Sequence, residues 1–167
     1  ERKVEDAALG LLWDPVAVRF AFQAGEGARL PMRIGGKVGP RSGLPIDAEV
    51  TVTKLAENAA QRFSGASIAL GDCAALRIGG IDVVVNSRRT QARSPDLFTN
   101  LGIDPRTRKI LVVKSTNHFY AAFAPIAKEV LYVEADGPLP RDYTKVPYSR
   151  LTRPMWPLHA DPLGLGR

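Results

Sequence analysis

The chain has 167 residues, with 23 Lys+Arg against 17 Asp+Glu, a formal net charge of +6. Its 45% apolar and 24% charged residues lie near the averages for a folded domain. That excludes a disordered tail, a collagen-like repeat and a disulfide-stapled miniprotein, and a chain this long buries roughly 70% of its surface, enough for one core.

Ala7 to Trp13 is an apolar run that predicts a strand. Asp14-Pro15 then starts a helix, because Asp14 caps it and proline suits its first position. Val16, Phe20, Ala21 and Gln23 recur at helical spacing, and Gly25 and Gly27 stop the helix. Leu30 to Ile34 reads as a second strand, followed by the loop GGKVGPRSGLP. Glu49 to Leu55 alternates Val50 and Val52 with Thr51 and Thr53, the pattern of a half-buried strand. Ala75 to Ile78, Gly79-Gly80 and Ile81 to Val85 predict a β-hairpin whose two-residue I′ turn takes positive φ at both glycines.

Ser94-Pro95 begins a short helix over 95–101, closed by Gly102. Ile110 to Val113 is continuously apolar, which predicts a central strand covered on both faces. A helical stretch then runs to Glu129, kinked or restarted at Pro125. Val130 to Val133 predicts another strand, so 109–134 reads as a strand-helix-strand unit with parallel pairing. The tail, with Pro138, Pro140, Pro147, Pro154, Pro157 and Pro162, is expected to wrap a surface without building a sheet. The fold class is mixed α/β: a mixed sheet with hairpins, at least one strand-helix-strand unit and a proline-rich C-terminal tail, in a single domain over 1–167.

The basic charge is clustered. Residues 86–114 carry Arg88, Arg89, Arg93, Arg106, Arg108, Lys109 and Lys114 against Asp96 and Asp104. Residues 15–45 carry Arg19, Arg29, Arg33, Lys37 and Arg41 against Glu26, while 46–85 and 115–140 are each net negative. Such clusters serve nucleic acid, an acidic ligand or an acidic face of another domain, or are merely solvated. The single cysteine, Cys73, has no activating base beside it and reads as a buried structural thiol. With no disulfide to make, it suits a reducing compartment, the cytoplasm. No apolar run approaches the ~18 residues of a membrane span.

Most catalytic signatures are absent: no HExxH pair, no cysteine-rich zinc pattern, no GxSxG elbow. The GGKVGPRSG loop lacks P-loop spacing, so it is either a backbone nest for an anion or a tight turn without a ligand. The two histidines, His118 and His159, stand in unrelated contexts, which makes a complete metal site on this chain improbable. His118 falls in the turn after a strand, where ligands of α/β sheets bind. There Lys114 offers charge, Ser115 and Asn117 hydrogen bonds, and His118 a proton donor or acceptor. Alternatively, Ser115 or Asn117 caps the helix and His118 packs beside Phe119. Ser87-Arg88-Arg89 follows the hairpin in the same manner, and paired arginines bind carboxylates in bidentate fashion or stay solvated. They lack the interleaved aromatics of a single-strand nucleic-acid platform.

The stretches LLWDPVAV, IGGKVGPRSGLP, LRIGGIDVVVNSRRTQA, LFTNLGIDP, ILVVKSTNHFYAAFAPIA and RLTRPMWPL run in order from Leu11 to Leu158. Together they resemble the C-terminal domain of the MlrC-like (microcystinase C) metallopeptidases, with a core over about residues 7–158. The resemblance implies a much longer protein, cut at Glu1, whose missing N-terminal domain carries the zinc ligands; no metal is expected on this chain. It implies zinc-dependent hydrolysis of peptide amide bonds, with this chain inactive alone. The positions matching the family's motifs are Gly35, Gly36, Lys37, Ser87, Arg88, Arg89, Lys114, Ser115, His118 and Phe119, several of them expected to face the cleft between domains. His118 would be catalytic, donating to the tetrahedral intermediate. Lys37, Ser87, Arg88, Arg89, Lys114, Ser115 and Asn117 would bind substrate, with Arg88, Arg89 or Lys114 holding a peptide carboxylate. The expected partners are the N-terminal domain of the same polypeptide and a peptide, with no membrane; nucleic acid is disfavoured and a homo-oligomer stays open. The alternatives are a basic binding module for nucleic acid or an acidic protein, and a purely structural or dimerising domain.

Overall fold

Asp14-Pro15 sets the first change of direction. The computed structural model describes residues 4–40, 42–134 and 142–166. In it β1 (Ala7–Trp13) ends at Asp14 and α1 (Pro15–Ala24) begins. The Asp14 carboxylate accepts the Ala17 N–H at 3.0 Å, and Gly25 closes the helix at φ 84°. α1 carries the chain to β2 (Arg29–Ile34). From there β3 (Ile46–Phe63), β4 (Ala66–Ile78) and β5 (Ile81–Asn86) return as an antiparallel meander. β5 runs parallel to β1, and β6 (Ile110–Val113) joins the other side of β1, also parallel. The six-stranded mixed sheet has the order β2-β3-β4-β5-β1-β6. The mixed α/β class is therefore as the sequence implies.

Each face of the sheet buries its own core. α1 sets Ala17, Val18 and Ala21 on Met32, Val50, Val52, Leu76, Val83 and Val85. On the other face, α2 (Asp96–Thr99) and α3 (Tyr120–Phe123) help bring Leu97, Phe98, Phe119 and Phe123 against Ala8, Leu11 and Val84. A register shift in β1 between Leu9 and Leu12 lets Ala8 and Leu11, three residues apart, share one core. Gly10 lies inside that shift, and a Cβ there would sit 2.4 Å from Leu97 Cδ1. Cys73 is buried in the same core as Leu97; burial first, and the Asp72 charge second, push its thiol up to about 12.

The structure differs from the sequence reading in four places. β6 is an edge strand rather than a central one, with Ile110 46% and Val112 48% exposed. Val130 to Val133 forms no strand: Val130 packs against the core that holds Phe119 and Phe123, and Leu131 and Val133 are exposed. The strand-helix-strand unit over 109–134 therefore does not form, and the helical stretch shrinks to α3 and a 3-10 turn, Ala124–Ile126, that starts around Pro125. At the β4–β5 hairpin Gly79 alone has positive φ, 55°. Gly80 answers to space instead, since a Cβ there would lie 2.9 Å from the Glu5 Cα. In the tail, Pro138 and Pro140 lie outside the described residues, as does Arg41; residues 142–166 are mostly exposed and contain no strand.

The long β3–β4 hairpin has no clear signal in the sequence, because register shifts at Val52/Lys54, Ala56/Ala59 and Ala59/Ala60 break its alternation. Its far end is pinned by side chains. Buried Gln61 donates to Gln91 O (2.7 Å) and accepts from the Arg93 and Ser94 amides, while Arg62 forks onto Asp96. At the amino ends of the parallel strands, buried Asp82 binds Arg77 (2.5 Å) and Arg108 (2.8 Å). Arg108 of the basic cluster is thus committed to structure.

Candidate functional site at the carboxyl ends of the parallel strands

Because β5, β1 and β6 run parallel, their carboxyl ends share one rim of the sheet. The segments leaving those ends begin at Ser87, Asp14 and Lys114, so residues separated by up to about a hundred positions become neighbours. Trp13 is the centre of this rim. Its indole Nε1 donates to Ser87 O at 3.1 Å, and the Arg89 guanidinium lies 5.5 Å from its ring centroid. Lys114 is near enough to Arg89 to feel its charge. Partial desolvation of the ammonium, and secondarily Arg89, lower the Lys114 pKa, although the residue as a whole is solvent-exposed. Neither cation has an acidic partner among the described residues.

His118, four residues after Lys114, is held from two sides. Its Nδ1 is 3.0 Å from Gln91 Oε1, which also receives the Ser115 hydroxyl at 3.5 Å. An amide oxygen only accepts, so with Gln91 in this orientation the contact is an Nδ1–H···Oε1 hydrogen bond, and Nε2 is the ring's second polar atom. The edge of Phe63, at the tip of the long hairpin, meets the imidazole with centroids 5.2 Å apart and planes at 76°. Arg93 lies over the same phenyl ring at 4.6 Å. Neither Ser115 nor Asn117 gives α3 a side-chain cap; Asn117 contributes its carbonyl, which accepts the Tyr120 amide. Phe119 turns inward to the core.

The other sequence-selected residues have separate engagements. Lys37 donates to the buried Asp14 carboxylate (2.5 Å) and to Arg33 O (2.5 Å), tying the glycine loop to the end of β1. Gly35 donates its N–H to the same carboxylate at 2.9 Å, and Gly36, at φ 65°, leaves no room for a Cβ against Pro45. The Ser87 hydroxyl accepts the Asp72 amide at 2.8 Å. Arg88 and Arg89 both line an open groove of about 470 Å³ with Ser67, Ile68, Ala69 and Thr90. No hydrogen bond or ion pair among the described residues joins Lys37 to Arg89, Lys114 or His118.

Phe63 and Trp13 escaped sequence reasoning as site residues, and Gln91, within the Ser87-Arg88-Arg89-Thr90-Gln91 stretch after the hairpin, escaped it as the anchor of His118, since each acts through a partner 27 to 74 positions away. Among the described residues no three His, Cys, Asp or Glu side chains converge as a metal site would require. These residues do not fit a zinc ion. No helix among the described residues is long and apolar enough to cross a membrane.

A family profile described as "MlrC C-terminus" matches residues 1–150. The chain belongs to this MlrC C-terminal family. It is 36% identical over 151 residues to microcystinase C from Sphingomonas sp., covering 90% of this chain and 29% of that protein. Its fold is similar, at a TM-score of 0.79 and 26% identity, to a crystal structure named "Putative metallopeptidase" from Mesorhizobium sp. BNC1. That match covers 93% of this chain and 31% of the other. The MlrC C-terminal domain described here thus spans about a third of the length of the relatives it matches.

Proposed function

We propose that this MlrC C-terminal domain forms one wall of the substrate cleft of a zinc-dependent metallopeptidase that hydrolyses peptide amide bonds. The metal would be held by the N-terminal part of the same polypeptide. The observation that carries the reading is the rim itself: Arg89 and Lys114, two cations without an acidic partner among the described residues, and His118 all follow the carboxyl ends of parallel strands, with Arg89 near enough for its charge to act on Lys114. Holding like charges together is unfavourable unless an anion joins them, and a substrate carboxylate is such an anion. Arg89, pre-set by Trp13, offers the flat face of its guanidinium fork and Lys114 a point charge.

His118 supplies the directional group. With Nδ1–H committed to Gln91, the protonated ring donates from Nε2 to the developing oxyanion, and the neutral ring accepts there. Phe63 restricts the ring's tilt. Gln91 also contributes its carbonyl to Gln61, so the hairpin tip and the rim form one unit.

The test is made on the full-length protein. His118→Ala should cut turnover of a peptide substrate about 100-fold, the scale of losing one oxyanion donor. Arg89→Ala and Lys114→Ala should raise KM for peptides with a free carboxylate more than for their amidated forms. Unchanged turnover in His118→Ala would refute the reading.

A further inference from the structure

Parallel strands are ordinarily covered on both faces. In the parallel half of this sheet, β5-β1-β6, the last strand is covered on one. There Leu111 and Val113 pack toward Ala8, Leu11, Phe98 and Phe123. On the opposite face α1 lies over β2 to β5 and leaves β6 bare. Ile110 and Val112 point to that face, in register with Ala7 and Leu9 of β1, and both are about half exposed. β6 is paired on one side only among the described residues. Its four residues, Ile-Leu-Val-Val, include none of the charges, prolines or bulges that guard a free edge. An open ladder and an apolar face therefore coincide on one strand.

We infer that the polypeptide which the relatives carry beyond this domain packs on the α1-side face of β1 and β6 and continues the sheet past the β6 edge. The occupant follows from two observations. The chain spans 29% and 31% of the relatives' lengths, so most of each such protein lies outside this fold. In addition, β6 leads directly into Lys114 and His118, so a body seated on it also borders the rim. Burying Ile110 and Val112 supplies the apolar part of the contact, and the outward amides and carbonyls of β6 supply its register. The argument from the rim rests on the proposed function, whereas the experiment below reads packing alone, so either can fail without the other.

Amide hydrogen exchange tests it, comparing the 167-residue chain, which has both of its own cores, with the full-length protein. Protection within 110–113 should rise by at least about tenfold in the full-length protein and should not depend on its concentration. The double variant Ile110→Lys/Val112→Lys should leave the melting temperature of the 167-residue chain nearly unchanged, because both side chains are exposed. In the full-length protein it should abolish the extra protection. Equal exchange at 110–113 in the two proteins overturns the inference. So does protection that grows with concentration of the 167-residue chain alongside dimers in sedimentation, since the occupant is then a second copy.

Discussion

Asp14 offers the sharpest test of how this rim is built. Its side chain is 2% exposed and holds three donors: the Ala17 amide at 3.0 Å, the Gly35 amide at 2.9 Å and the Lys37 ammonium at 2.5 Å. Truncation to Ala removes a helix cap, worth about 1 kcal/mol. It also removes the charge-assisted hydrogen bonds from the Gly35 amide and the Lys37 ammonium, which costs about 1.5–3 kcal/mol. The expected loss is therefore about 3 kcal/mol, or about 6–12 °C in melting temperature for a domain of this size. Asp14→Asn keeps the cap and one further hydrogen bond but loses the ion pair, so it should cost about half as much. Urea and thermal unfolding of both variants, followed by circular dichroism, measure the difference. An Ala variant within about 0.5 kcal/mol of the parent, the range of ordinary surface changes, would refute the reasoning. Lys37→Met separates roles at the same position: a structural tie lowers stability, whereas a substrate contact raises KM in the full-length protein at unchanged stability.

Two further outcomes follow from packing and charge. Gly10→Ala should destabilise by about 1–3 kcal/mol, because the added Cβ drives into fully buried Leu97 and, at 3.2 Å, Phe98; an unchanged urea midpoint would show that α2 yields freely. The hydrogen bonds from Arg62 hold the Asp96 carboxyl down at about 2, below the roughly 3.9 of an unfolded chain. The folded form binds that proton more weakly, so the contribution is complete above about pH 4 and is lost as pH falls toward 2. Asp96→Asn should flatten that acid limb of stability, and an identical acid slope would remove Arg62–Asp96 from the account.

Local chemistry made part of this molecule readable in one dimension. Asp14-Pro15 and Gly25 bound α1 because capping and positive φ are properties of a few adjacent residues. The rim was approached the same way: Ser87 to Arg89 and Lys114 to His118 were singled out because each follows a strand, and parallel pairing places both at one edge. What escaped depends on partners remote in sequence. Ile110 to Val113 has the composition of a central strand, yet it lies at the edge of this sheet, since an apolar run records what a strand can bury and not what is there to bury it. Val130 to Val133 has strand propensity, yet it pairs with no strand among the described residues.

The sequence by itself determined a mixed α/β domain of the MlrC C-terminal family, with its caps, its hairpin and its clustered basic charge. Only the tertiary structure decided which of those charges are available. Arg108 is neutralised by Asp82, Arg62 by Asp96 and Lys37 by Asp14, while Arg89 and Lys114 are left side by side at the rim. The physical reason is that Coulomb energy depends on separation in space, and folding sets those separations independently of distance along the chain.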